Sequence, residues 1–156
     1  MTCLVDITPN SAAQFSGLSV ADAQMHLIAP TGRWLDEALT MPGSHTFGIV
    51  NDNTPIGLVS WIDPNLSPEV EDIFLPECAY LWRIMIDSRF QGRGVGSCVL
   101  TEMLARAGAA GFSGMSLTTK DKADGNALAF YLNRGFVPSG RRLRGEIELV
   151  KFFGGC

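Results

Sequence analysis

YLWRIMIDSRFQGRGVGS, residues Tyr80 to Ser97, decides how the rest of the chain is read. Tyr80 to Asp87 is apolar on both faces apart from Arg83, the pattern of a central strand covered by helices. A polar turn follows, Gln91-Gly92-Arg93-Gly94-Val95-Gly96. From Val95 onward, Val99, Leu100, Met103, Leu104 and Ala107 recur at helical spacing. The order is strand, glycine loop, helix. Glycine lets the backbone approach a ligand and turn its N–H groups inward. A helix N-terminus adds unpaired N–H donors and a partial positive charge. Together they make a phosphate site. Two nucleotide readings fail on spacing. A P-loop needs Gly-Lys-Ser/Thr after four intervening residues, and no lysine follows here. A dinucleotide fingerprint needs Gly-x-Gly-x-x-Gly in the first βα unit. Gly92, Gly94 and Gly96 have the wrong third spacing and sit in mid-chain.

Working outward, Met115 to Thr119 reads as a strand and Lys120 to Gly125 as a charged loop. Asn126 caps a helix running to about Asn133, with Arg134-Gly135 at its end. Phe136 and Val137 begin a further strand, and Pro138 to Arg144 turns. Glu146 to Phe153 closes the sheet as an outer strand, Ile147, Leu149 and Lys151 alternating against Glu148 and Val150. Gly108 and Gly111 end the helix after the glycine loop. On the N-terminal side, His45 to Val50 and Ile56 to Ile62 are strands joined by Asn51-Asp52-Asn53-Thr54-Pro55, which is hairpin chemistry. Asp63 to Glu77, punctuated by Pro64, Pro68 and Pro76, is a surface loop with a brief strand at Ile73-Phe74-Leu75. Cys3 to Ile7 is a first strand. Asn10 or Ser11 caps a helix from Ala12 to about Ile28, and Arg33 to Leu39 forms a shorter one. The sum is one α/β domain over residues 1–156, a mixed sheet flanked by helices.

Composition sets the limits. With 156 residues, 46% of them hydrophobic, the chain can bury one sizeable core. The net charge of −4 does not describe a nucleic-acid binder, which carries a basic face. Cys3, Cys78, Cys98 and Cys156 match neither a Cys-x-x-Cys pair nor a zinc pattern, so no metal site is expected and reduced thiols are. The N-terminus has no basic, apolar leader and no apolar run is long enough to span a membrane. The expectation is a cytoplasmic protein without membrane or nucleic-acid partners.

Gln91-x-x-Gly94-x-Gly96, between a buried strand and a helix, resembles the pyrophosphate loop of the GNAT superfamily of N-acetyltransferases, Arg/Gln-x-x-Gly-x-Gly/Ala. Asn126-Ala127-Leu128-Ala129-Phe130-Tyr131-Leu132-Asn133-Arg134-Gly135-Phe136 resembles that family's Asn-x-x-Ala…Tyr…Gly-Phe segment. More narrowly, Tyr80 to Asp87 is similar to the Trp-Arg-Phe-Met-Ile-Asp strand of bacterial Blt-type diamine and spermine/spermidine acetyltransferases, as are Gly145-Glu146-Ile147 and Asp6-Ile7-Thr8. The resemblance implies a centrally splayed sheet, the acyl-CoA N-acyltransferase fold. It implies acetyl-CoA as cosubstrate, without a metal, and a small amine as acceptor. Homodimerisation carries over by analogy only.

Residue roles follow from the same resemblance. The pantetheine would run along Ile84, Met85 and Ile86. The diphosphate would sit on Gln91, Gly92, Arg93, Gly94, Val95, Gly96 and Ser97. Asn126 has two compatible roles, helix cap and hydrogen bond to the pantetheine. Tyr131 is the expected general acid, its phenol beside the thioester sulfur; the competing reading is an ordinary helix aromatic. For the acceptor the candidates are Trp82, Glu37, Glu77 and Glu146, and core packing competes for Trp82. Asp87, at the end of the strand, orients the turn. Neither His26 nor His45 is placed to take the amine proton, so the base is one of the acids Glu37, Glu77, Asp87, Glu146 and Glu148 or a water chain. A polyamine is the favoured acceptor; an amino acid, a peptide N-terminus, an aminoglycoside and a non-catalytic CoA-binding module are the alternatives.

Overall fold

Ile56, Leu58, Val59, Ser60, Trp61 and Ile62 are all buried, so the strand that carries them is covered on both faces. Among the described residues it is the third of seven in a single mixed sheet of order β1-β2-β3-β4-β5-β7-β6. The structure is a computed structural model, and it describes residues 2–7, 42–66, 74–90, 94–120, 128–143 and 145–154. The strands are β1 (Thr2–Asp6), β2 (Ser44–Asn51), β3 (Thr54–Ile62), β4 (Cys78–Ile86), β5 (Gly114–Thr119), β6 (Val137–Leu143) and β7 (Glu146–Phe152). Two helices join them among the described residues, α1 (Val95–Ala109) and the short α2 (Leu128–Leu132). The helices expected over Ala12–Ile28 and Arg33–Leu39 lie outside the described residues, as does Ile73; Phe74 and Leu75 do not form the expected strand.

The β2–β3 hairpin turns at Asp52 and Asn53, both with positive φ (50° and 68°), the left-handed pair that a type I′ turn requires. β4 adds antiparallel to β3 with an interruption. The register passes from Trp61↔Leu81 to Ser60↔Arg83, so Trp82 is an extra residue, a β-bulge. β4 then pairs in parallel with β5 through Cys78↔Gly114, Ala79↔Met115 and Tyr80↔Ser116 only. Beyond Tyr80 the two strands part. β4 continues along β3 to Ile86, while β5 continues along β7, from Gly114↔Phe152 to Thr119↔Ile147. The sheet is therefore a fork whose arms diverge toward the C-terminal ends of β4 and β5.

β7 is not the outer strand that the sequence suggested. It lies between β5 and β6, and β6 forms the edge. Residues expected to turn, from Pro138 onward, build β6 instead, and Phe136 is a buried residue just before it. The physical reason is the turn at Gly145 (φ 83°), which folds β6 and β7 into a hairpin and leaves the later strand free to pair with β5. The alternation read for β7 also fails, because both residues of the expected outer face are buried, Val150 at 5% exposure and Glu148 fully. From Pro138↔Leu149 to Arg142↔Ile147, β6 carries two residues more than β7, and the bulge turns Ser139 and Arg141 onto that carboxylate. Arg141 Nη2 lies 2.7 Å from Glu148 Oε2, and Ser139 Oγ donates to Oε1 at 2.6 Å.

The core lies beneath α1. Val95, Val99, Leu100, Met103 and Ala107 of the helix pack with Ala79, Leu81, Met115, Leu117, Tyr131, Phe136 and Leu149. Gly108 falls inside the helix, and the chain leaves it at Gly111 (φ 98°). Glu102 and Arg106 form the i,i+4 ion pair at 3.0 Å.

Candidate active site

The site is built on the fork. Ile84, Met85 and Ile86, the residues expected along the pantetheine, lie on the arm of β4 that has left β5. Asp87 follows, 2% exposed, and accepts from the Arg89 backbone N–H at 3.0 Å and from Arg89 Nε at 2.9 Å. These bonds hold the short 3-10 turn Ser88–Phe90; the glycine turn that Asp87 was expected to orient lies in part outside the described residues. Its carboxylate is engaged with a cation, which makes it a poor candidate base. Gln91, Gly92 and Arg93 lie outside the described residues.

Gly94, the residue before α1, has φ 78° and ψ 5°. A side chain is strained in that left-handed conformation, which is why glycine stands there. Gly94 offers no side chain to cap the helix. Among the described residues no side chain caps its first turn, from Val95 to Ser97, whose donors suit another acceptor. The open space around Gly94, where an added Cβ would meet nothing within 4 Å, fits approach by a phosphate. Val95 is buried and anchors the turn, while Gly96 and Ser97 are half-buried.

Tyr131 sits on α2, 6% exposed, edge-on to Phe130 and Phe136 with ring centroids at 5.2 and 5.6 Å. Among the described residues no hydrogen bond involves its phenol. Burial pushes that phenol's pKa above its ordinary value, and the nearby Tyr80 adds to the shift. Tyr80 itself occupies the last paired position before the fork, and its hydroxyl is 2.8 Å from Thr118 Oγ1 on the other arm. Cross-strand pairing puts Tyr80, Ser116, Thr118 and Glu148 on one face. Sequence reasoning missed this polar row. Its visible signals were a phenol at the head of an otherwise apolar strand and Glu148, weighed as a candidate base, whose buried carboxylate is instead engaged by Arg141.

The expected acceptor residues are not brought together. Glu37, like Asn126 at the cofactor side, lies outside the described residues. Glu77 is exposed beside Cys78, at the closed end of the fork. Glu146 is half-buried at the start of β7, next to Ile147 opposite Thr119, at the open end. The sheet register separates the two acids by about 20 Å. Trp82 is half-buried, packed on the Ile62–Tyr80 cluster with the Arg83 guanidinium 4.3 Å from its ring centroid. No cluster of three or more metal-ligating side chains occurs among the described residues, and no helix there is long and apolar enough to cross a membrane.

The model of the Acetyltransferase (GNAT) family matches residues 15–136. No curated protein sequence matches the chain significantly. Among solved structures, an acetyltransferase from Thermus thermophilus superposes with a TM-score of 0.73 at 21% identity, covering 98% of this chain and 97% of that one. The PaiA N-acetyltransferase from Thermoplasma acidophilum, in complex with coenzyme A, gives 0.69 at 12% identity over 98% and 99%. A GNAT family acetyltransferase from Elizabethkingia anophelis with acetyl-CoA bound gives 0.66 at 16% over 97% and 98%.

Proposed function

The chain belongs to the acetyltransferase (GNAT) family, and on that premise we propose that it moves an acetyl group from acetyl-CoA to a primary amine of a small molecule, with a polyamine as the preferred acceptor. The observation that carries the reading is the fork: β4 and β5 pair over three residues, then part, with the glycine-led N-terminus of α1 following the β4 arm. An extended pantetheine fits between such arms, along Ile84, Met85 and Ile86. The diphosphate fits the uncapped first turn, on Gly94, Val95, Gly96 and Ser97, with Gln91, Gly92 and Arg93 preceding it. The thioester supplies an activated acetyl group; the chain's task is to position it, exclude water and handle two protons.

Tyr131 is the proposed acid. Its raised pKa keeps the phenol protonated throughout the neutral and mildly alkaline range. A phenol of that kind is a better hydrogen-bond donor to the departing sulfur than a full proton donor, because transfer to a thiolate becomes less favourable as the phenol's pKa rises. Tyr131→Phe should lower kcat by about a hundredfold, with CoA affinity held within about twofold. Equal turnover would remove Tyr131 from the mechanism. The base remains a carboxylate or a water chain on the acceptor side.

For the acceptor, the half-buried Glu146 at the open end of the fork supports a cation, and the similarity of Tyr80–Asp87 to diamine acetyltransferases favours a polyamine. Thiol release from acetyl-CoA should be fastest with spermidine or spermine. A panel in which amino acids, peptides or aminoglycosides react and polyamines do not would move the assignment to that class.

A further inference from the structure

Among the described residues Arg134 is a cation without an anion. No carboxylate there pairs with it, although Arg89, Arg106 and Arg141 each have one. It is nonetheless held firmly. Its Nε donates to Ser97 Oγ at 3.2 Å, its Nη1 donates to the Phe130 carbonyl at 3.0 Å, and the guanidinium lies 3.9 Å from the centroid of the Phe130 ring. The backbone is tied as well, since Lys151 Nζ donates to the Arg134 carbonyl at 2.8 Å. The same Phe130 ring lies against the first turn of α1: a Cβ added at Gly96 would stand 3.5 Å from it. The end of α2 and the first turn of α1 are thus joined at one point, and that point carries a half-buried positive charge.

We infer that Arg134 is a positioning residue for the cofactor's diphosphate, acting through Ser97; this rests on the reading that the first turn of α1 receives that diphosphate. Because Ser97 Oγ accepts from Arg134, its own O–H is left to donate outward, and the adjacent guanidinium strengthens that donor. The charge also favours an anion at the loop directly. A fork fixed by stacking and by the Phe130 carbonyl loses little freedom when the anion arrives.

Equilibrium titration of CoA and of pantetheine, which lacks the diphosphate, tests this. Arg134→Met should weaken CoA about tenfold and leave pantetheine unchanged. Arg134→Lys, which keeps a charge without the Nε bond, should lie between it and wild type for CoA alone. The salt dependence of CoA binding should become shallower in Arg134→Met, as one cation is lost. In a double variant, Ser97→Ala should add little to Arg134→Met, because the two act as a unit. Equal losses for both ligands would show a merely structural role and overturn the inference, as would unchanged CoA affinity. Should Arg134→Met fail to fold, Arg134→Lys decides by the same comparison. Wild-type protein that binds CoA no tighter than pantetheine would overturn the diphosphate reading itself, and this inference with it.

Discussion

Two side chains of opposite fate show what environment does to a single residue. Cys78 and Tyr131 are both buried, and both have raised pKa values. For Cys78 burial is the main cause, with Glu77 and then Glu148 adding to it, and the thiol reaches about 11. The sign follows from linkage. The folded state holds the proton more tightly than the unfolded chain, so this contribution to stability is full below the unfolded value of 9.0 and is lost as pH rises through about 11. At pH 8 iodoacetamide should label exposed Cys98 and spare Cys78, as peptide mapping would read; equal labelling would contradict the burial. For Tyr131 the same physics bears on its proposed role as the acid. Its phenol should not titrate below its ordinary range, so kcat should show no descending limb from this group below about pH 10. The family resemblance singled out Tyr131. It could not find Arg134 as more than a helix end, because the partner Ser97 is 37 positions away in the chain.

At the scale of elements, close approach explains positions that periodicity cannot. A Cβ on Gly57 would stand 2.3 Å from the Met85 carbonyl of β4, where no real contact occurs. Gly57→Ala should force β3 and β4 apart and destabilise by about 1–3 kcal/mol, seen as a lower midpoint in urea. Gly94→Ala meets no neighbour, so its effect is backbone strain alone, about 1–2 kcal/mol. The strand Tyr80–Asp87, the helix after the loop and the hairpin at Asp52-Asn53 were legible because each follows a local rule. β6 was not. Pro138, Gly140, Arg141 and Arg142 read as a turn, and only pairing with β7 makes them an edge strand. Trp82 looked like a core aromatic in an ordinary strand. The register shift that makes it a bulge belongs to the β3–β4 pair, not to either sequence.

At the scale of the whole molecule, stability and ligand binding are linked. CoA at a hundred times its Kd should stabilise the fold by about 2.7 kcal/mol, a rise of roughly 5–10 °C in Tm for a chain of this size. No shift would count against a folded cofactor site. Removing the guanidinium from the β6 bulge should be costly, because among the described residues fully buried Glu148 is left with Ser139 alone. Arg141→Ala should cost roughly 2–3 kcal/mol, below the full value for a buried pair since Arg141 stays partly in water. By itself, the chain determined its α/β class, the strand and the helix that flank the glycine turn, the two segments that resemble the acetyltransferase family and the absence of a P-loop or dinucleotide pattern. These are matters of local spacing, and local spacing is what a linear string records. The tertiary structure decided the rest: where β4 leaves β5, which strand forms the edge, why Glu148 is inside, and how Arg134 meets Ser97. Each depends on register between distant segments, set by which faces must be buried together and which backbone groups remain to be paired.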